Sequence, residues 1–528
     1  MTTGILIVSI VLLLCVMAEK CSDKFGMPAL ILFMFIGMLF GSDGIAKIQF
    51  DNYKLTEEIC SIALIFIMFY GGFNTKWKAA KPVVGKSILL STAGVVLTAG
   101  ITAVLCYFVL KFSFSESFLI GAVLSATDAA SVFAILRKQK LNLKDGTASI
   151  LELESGSNDP VAYLLTLVGI SLMKQDGTNT VWLLILLQLV VGTLFGVGFA
   201  AVSIWLMRKT RLISEGLETI FLISFIFLCY GVTKVAWGNP YLSVYLMGIL
   251  IGNSKIKSKH VLIPFFDGVT GLAQILIFFL LGLLTFPHKM PQIIPTALCV
   301  TVILTLIARP IAVFSLLKPF GCSTRQCLLI AWAGLRGASS SVFAIMAVAS
   351  GMSMSYDLFH IVFLVSLFSV SVQGGALPWM VQRLKMRDDN ADVRKTFNDY
   401  QDETSFTMMR MYIPKGHNWE NKCIREVTMP TGALALMIKR KDKTIITKGD
   451  TKILAGDSVI LSVPPYEPDG EELQEEAIEK DHPWCNQVIS SLKLSTNELI
   501  IMIVRGDTTI IPDGKTKILE HDKVVFCR

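Results

Sequence analysis

The sequence predicts an α-helical polytopic membrane protein carrying a small α+β cytosolic tail. Three observations predict it. Of 528 residues, 53% are hydrophobic and only 17% charged, with a mean hydropathy of +0.60, whereas a soluble domain needs roughly a quarter of its residues charged. Apolar stretches long enough to cross a hydrocarbon core of about 30 Å recur from Gly4 onward. From about Asn390 the composition becomes that of a soluble domain, and that segment repeats itself.

Thirteen helices are expected, near 4–19, 26–43, 57–73, 87–110, 116–136, 150–173, 181–207, 216–236, 240–253, 266–286, 292–317, 326–350 and 357–381. The first is kept as a helix and not a signal peptide: no basic residue precedes it, and Glu19 and Lys20 stand where small cleavage-site residues would be. Basic residues then fall on alternate loops. One side receives Lys20 and Lys24, then Lys76 to Lys86, then Arg137 to Lys144, then Arg208 to Arg211, then Lys255 to Lys259, then Lys318 and Arg325, and finally Arg383 to Arg387. The positive-inside rule makes this side cytoplasmic, so an odd helix count puts the N-terminus outside and the tail in the cytosol. These loops account for the net charge of +7, and no nucleic-acid partner is expected. The eleven cysteines and six histidines are scattered, without metal-ligand spacing.

Ionisable residues inside membrane helices are costly and point to function. Ser125-Ala-Thr127-Asp128-Ala-Ala-Ser131 sits mid-helix among small residues. Good N-capping residues there suit a broken helix whose freed backbone groups face a cavity. Downstream lies Glu154-Ser155-Gly-Ser-Asn158-Asp159-Pro160. Ser155 and Asp159 share a helix face, and Pro160 leaves the carbonyl of Gly156 without its helical donor. Two carboxylates, two hydroxyls and loose carbonyls form a hard, all-oxygen site suited to an alkali cation. Gly334-Leu-Arg336-Gly337 in the twelfth helix is a second expected break, where Arg336 needs a counter-charge and Glu154 is the candidate. Arg309, before Pro310, is another buried cation, whose partner the sequence leaves open. Ser131-Val-Phe-Ala-Ile135 recurs as Ser341-Val-Phe-Ala-Ile345, each after a break, in helices expected to run in opposite directions. Paired interrupted helices in inverted halves mark a transporter's midplane site.

In combination, Ala126-Thr127-Asp128-Ala-Ala, Glu154-Ser-Gly-Ser-Asn-Asp-Pro160 and Gly334-Leu-Arg-Gly-Ala338 resemble the NhaP branch of the monovalent cation:proton antiporters over roughly residues 1–385. The resemblance implies an inverted-repeat antiporter fold with a core domain and a dimerisation domain, hence a homodimer in the inner membrane. It implies an ion site for potassium or sodium lined by Thr127, Asp128, Ser155 and Asp159, with Asn158, Glu154 and Arg336 holding its shape. No enzymatic activity and no cofactor are implied beyond the transported cation and protons. Asn158-Asp159 where other branches carry Asp-Asp implies electroneutral exchange. Two departures stand out: Tyr70 replaces the acidic residue many members carry before Gly71-Gly72, and Ser339-Ser340 replaces the usual Val-Pro.

In the tail, Trp419-Glu-Asn421 aligns with Trp484-Cys-Asn486 at an offset of 65, as do Lys448-Gly449 with Asp513-Gly514 and Asp457-Ser-Val459 with Asp522-Lys-Val524. Ungapped self-similarity marks a duplication. The organisation expected is residues 1–385 in the membrane, a linker at 386–402, a first unit at 403–465, an acidic linker at 466–481 and a second unit at 482–528. Each unit reads as a short helix, a hairpin turning at Lys441-Asp442 or Gly506-Asp507, and a final strand. The units resemble the C-terminal subdomain of potassium-conductance regulators, which implies a paired module that binds a small-molecule regulator. A cyclic dinucleotide is the leading expectation, from Lys439, Arg440, Lys441 and Arg505 around the hairpins. A potassium channel with a regulatory tail is the alternative, but the TVGYG filter is absent, as is the phosphate loop of an ATP-driven pump.

Overall fold

The computed structural model describes residues 2–527 except 26–27, 76, 140, 175–177, 210–216, 255, 257–258, 353, 389–406, 430–432, 441–442, 464–472, 479–481, 493–498, 506–507 and 511. The chain divides into two compact units, Met1–Ala391 and Asp392–Arg528.

The first unit is helical throughout: α1 (Thr2–Phe25), α2 (Ala29–Phe40), α3 (Tyr53–Asn74), α4 (Val84–Leu110), α5 (Phe114–Val123), α6 (Ala129–Lys138), α7 (Thr147–Met173), α8 (Thr178–Lys209), α9 (Glu218–Val235), α10 (Pro240–Gly252), α11 (Lys259–Leu283), α12 (Pro287–Leu317), α13 (Thr324–Trp332), α14 (Ala338–Ala349) and α15 (Leu358–Arg383). Among the described residues, seven helices (α3, α4, α8, α9, α11, α12 and α15) are long and apolar enough to cross a membrane. Those two criteria do not reproduce the expected count of thirteen. The expected fifth and twelfth spans are each split into halves of 9 to 12 residues, and α7 carries Glu152, Glu154 and Asp159.

Close backbone approach fixes how some of these helices meet. A Cβ at Gly72 of α3 would overlap the carbonyl oxygen of Tyr245, and one at Gly248 of α10 would overlap that of Phe69. Short π-helical segments interrupt the long helices at Ile303–Ala308 and Ser369–Gly374. Such segments re-aim side chains and recur at functional sites; here they precede Arg309 and contain Ser369 and Gln373.

The boundary expected near residue 385 shifts slightly. Lys144 N–H donates to Met386 O (2.9 Å) and Asp388 N–H to Asn142 O (2.9 Å), so the start of the expected 386–402 linker belongs to the membrane unit. From 389 onward that linker lies outside the described residues.

The second unit holds two four-stranded antiparallel sheets: β1 (Thr407–Tyr412), β2 (Leu434–Arg440), β3 (Lys443–Ile446) and β4 (Ser458–Val463) in the order β1-β4-β2-β3, then β5 (Leu473–Ala477), β6 (Leu499–Arg505), β7 (Thr508–Ile510) and β8 (Lys523–Cys527) in the order β5-β8-β6-β7. The duplication extends to irregularities. A bulge sits between Ala435 and Met437 and again between Ile500 and Met502, and Asn421 and Asn486 both have φ 64°. Each unit also has a first strand not expected from the sequence. β5 falls inside the segment expected to be an acidic linker (466–481), because Leu473–Ala477 pairs with β8 despite its glutamates. The two turn dipeptides lie outside the described residues, but the flanking strands pair as hairpins.

Arg440 and Arg505, expected as ligand-facing cations, are used internally. Arg440 donates Nε and Nη2 to Asp457 (both 2.8 Å) and Nη2 to Lys452 O. Arg505 does the same with Asp522 and Lys517 O. Burial pushes each carboxyl up, but hydrogen bonds from the arginine and from Leu454 or Leu519 N–H outweigh it and hold both aspartates below the usual carboxylate value of 3.8. Such a carboxylate stabilises the fold fully above its unfolded value and loses that contribution as pH falls through the lower folded value. Each sheet has its own core, around Ile413, Ile438 and Leu461 or around Ile478, Ile503 and Val524. Arg440→Met in the full chain should therefore raise hydrogen exchange in β2 and β4 well before β6 and β8. The difference from the parent should be constant between about pH 5 and 8 and shrink below about pH 4. Equal loss in both sheets would contradict this.

Candidate functional site

Two interrupted helices cross at the site. α5 starts with a capping box in which Ser113 and Glu116 satisfy each other's backbone donors. It ends where the Ser125 hydroxyl turns back onto Ala122 O (2.6 Å). After the break Asp128 caps α6: its Oδ1 accepts from Ser131 N–H (3.3 Å) and its Oδ2 from the Ser131 hydroxyl (2.5 Å). α13, capped by Ser323, stops at Trp332, and the stretch through Gly334 and Gly337 leads into α14. Both breaks are legible in the sequence.

A backbone hydrogen bond from Asp128 N–H to Leu335 O (2.8 Å) ties the breaks together. At the contact, a Cβ on Gly337 would overlap Asp128 Oδ2. Only glycine lets the two chains approach this closely.

α7 lies against the crossing and supplies four of the expected side chains, Glu154, Ser155, Asn158 and Asp159. Ser155 Oγ donates to Thr127 O (2.7 Å), and Asn158 Nδ2 donates to Thr127 Oγ1 (2.5 Å). Asp159 is 3% exposed. Its Oδ2 accepts from the Ser339 hydroxyl of α14 (2.6 Å), while its Oδ1 is buried with no hydrogen-bond partner among the described residues. An unsatisfied buried carboxylate oxygen costs free energy and calls for a ligand, a proton or a cation. Asp128 lies within electrostatic range of Asp159, but its carboxylate is engaged in capping. The side chains and backbone gathered here offer oxygens from Thr127, Ser155, Asp159 and Ser339, the donor type that suits a hard cation.

The expected pairing of Glu154 with Arg336 is corrected. Glu154 Oε1 binds Arg309 Nη2 at 2.5 Å, with both side chains at most 2% exposed. Arg336 instead donates Nη1 to Ser125 O (2.8 Å) and Ala126 O (2.6 Å). These carbonyls follow the C-terminal end of α5, where the helix dipole is negative. Backbone oxygens thus serve Arg336 where a carboxylate was expected. Its own N–H donates to Ser369 Oγ (3.0 Å), which donates to Gln373 Oε1 (2.6 Å). Arg309 passes beside Gly334, where a Cβ would meet its Nε at 2.8 Å.

The sequence does not announce the roles of Ser339, where it shows only a departure from the family pattern, or of Tyr245. Tyr245 packs over Gly156, where a Cβ would meet its ring at 2.9 Å, and its hydroxyl lies 3.4 Å from Ser157 Oγ. A hydroxyl at the start of a half-helix in an apolar stretch is the available signal for Ser339. Nothing in the pattern around Tyr245 marks it.

The revised pairing has a direct test. Glu154→Gln or Arg309→Leu alone leaves an uncompensated buried charge and should cost about 3–5 kcal/mol. The double variant should recover part of the loss in thermal midpoint. Arg336→Leu, whose charge lies within electrostatic range of Glu154, should couple to Glu154→Gln more weakly than Arg309→Leu does. Coupling of Glu154 to Arg336, and none to Arg309, would restore the other pairing.

Known proteins share the sequence pattern and the fold of this chain. Residues 8–383 match the model of the transmembrane sodium/hydrogen exchanger family, and residues 408–466 match the TrkA-C domain. The K(+)/H(+) antiporter NhaP of Alkalimonas amylolytica is 31% identical over 467 residues, covering 87% of this chain and 80% of that protein. The K(+)/H(+) antiporter NhaP2 of Shewanella baltica is 28% identical over 449 residues, covering 84% and 77%. Among solved structures, the sodium proton antiporter MjNhaP1 from Methanocaldococcus jannaschii superposes with a TM-score of 0.64 at 21% identity, covering 72% of this chain and 99% of that one. With its crossed helix breaks and its family match over most of its length, this chain belongs to the sodium/hydrogen exchanger family of multi-pass membrane antiporters.

Proposed function

We propose that this cation/proton antiporter exchanges potassium, and sodium as a second substrate, for protons, one for one, at Asp159. The observation that carries the reading is the buried Oδ1 of Asp159 beside the crossing, which has no hydrogen-bond partner among the described residues. Potassium is put first because the relatives matched over most of their length are described as K(+)/H(+) antiporters.

A protonated Asp159 is neutral. When the proton leaves, the carboxylate takes a cation, with Thr127, Ser155 and Asp128 supplying further oxygens. Because proton and cation use the same oxygen, neither crosses without the other being released, and no second coupling device is required. Asn158 beside Asp159 is a neutral amide bound to Thr127, so a single carboxylate titrates per cycle and exchange is electroneutral. The work is ion translocation, with no covalent catalysis.

The basic loops support an orientation with the N-terminus outside and the tail in the cytosol of a cell with an inner membrane. The resemblance to NhaP-type exchangers supports a homodimer. The tandem tail is read as a regulatory module for a small ligand that biases the transport cycle through differential affinity. With Arg440 and Arg505 committed to Asp457 and Asp522, a cyclic dinucleotide would have to be recognised by other groups, such as the exposed Lys439.

Everted vesicles carrying a proton gradient test the reading. Added potassium and sodium should dissipate the gradient, and Asp159→Asn should abolish this while leaving folded protein in the membrane. Substantial exchange in that variant would sink the mechanism. A chain ending near Arg387 should still exchange but with an altered pH profile; an unchanged profile would remove the regulatory role of the tail.

A further inference from the structure

The interaction left over from this reading is the hydroxyl on Asp159. Ser339 is the second residue of α14, a helix of 12 residues whose N-terminus meets the crossing. Its Oγ donates to Asp159 Oδ2 at 2.6 Å and leaves Oδ1 of the same carboxylate without a partner among the described residues. The neighbouring serines are differently employed: Ser340 Oγ reaches back to Ala126 O (3.4 Å) and Ser341 Oγ to Gly337 O (3.1 Å). Ser339 is thus the hydroxyl of α14 aimed at the carboxylate.

We propose that Ser339 is a specificity-determining residue of the ion site, donating to Asp159 when the carboxylate is empty and offering its oxygen to the cation when it is occupied. The inference rests on Asp159 being the exchange site. A hydroxyl has one donor and two acceptor lone pairs and rotates to suit its partner, so the same atom serves both states without backbone movement. In the empty state its hydrogen bond stabilises the charged carboxylate and disfavours proton uptake. In the loaded state it adds a neutral oxygen to the hard-cation donor set. Both effects favour cation over proton.

Other ionisable groups around Asp159 are Asp128 at the first break and Tyr245 from α10. Glu154 is neutralised by Arg309, and Arg336 is held on the α5 carbonyls. A substitution at Ser339 leaves every one of these in place, so the change it produces belongs to the hydroxyl.

The test compares the parent, Ser339→Ala, Ser339→Thr and Asp159→Asn in everted vesicles, with potassium and sodium varied at several pH values. Ser339→Ala should keep its maximal rate within a factor of about two. Its apparent KM for potassium should rise about tenfold, and its half-maximal activity should move to higher pH. Ser339→Thr, which keeps the hydroxyl, should restore both. If Ser339→Ala matches the parent in KM and pH profile while Asp159→Asn is inactive, the role of Ser339 is overturned and the exchange site stands. That role is equally overturned if Ser339→Ala lowers only the maximal rate and the thermal midpoint, the mark of a structural residue. If Asp159→Asn still exchanges ions, the site and this inference fall together.

Discussion

Everything at the centre of this protein depends on two interrupted helices held back to back by the hydrogen bond from Asp128 N–H to Leu335 O. Inside a bilayer, non-helical backbone is tolerated only where its polar groups are satisfied by protein or face a cavity. Each break frees donors on one side and acceptors on the other. The crossing satisfies one such pair directly, Arg336 covers two carbonyls after α5, and the Asp128 carboxylate satisfies the start of α6. Gly337 is the steric condition for the whole arrangement, since any side chain there would overlap Asp128.

Charge neutrality follows from the same geometry. α7 brings Glu154 and Asp159 into the protein interior five residues apart, about 140° apart around the helix, so that they face different neighbours. Glu154 meets Arg309 from α12, delivered by the π-helical segment Ile303–Ala308. Among the described residues Asp159 meets no cation, only a hydroxyl. Of the two carboxylates, one is neutralised by a fixed positive charge and the other is left to a mobile one. This difference is the ground on which Asp159 is proposed as the site of exchange and Glu154 as part of its frame.

Much of this is legible in the sequence. Short polar residues in an apolar run announce the break at Thr127-Asp128, and glycines flanking Arg336 announce the second. The spacing from Ser155 to Asp159 places both on one face. The duplication in the tail is readable because its repeat is ungapped. Partner choice is what the sequence misleads on. It suggests a carboxylate for Arg336 because it displays charged residues but hides the backbone carbonyls at a helix end that accept from its Nη1. Likewise Arg440 and Arg505 look like free cations because Asp457 and Asp522 lie seventeen residues away in the chain and adjoin them only across the sheet. The strand β5 is hidden by its glutamates, since pairing along an edge needs backbone and not apolar side chains.

The central claim is that Asp159 holds either a proton or a cation. Its most direct test is proton release on cation binding by purified protein in weakly buffered detergent solution. Potassium added at neutral pH should release protons in proportion to the cation bound, approaching one for one under acidic starting conditions. Asp159→Asn should release none. Cation binding by the parent without proton release, or undiminished release by Asp159→Asn, would contradict the account.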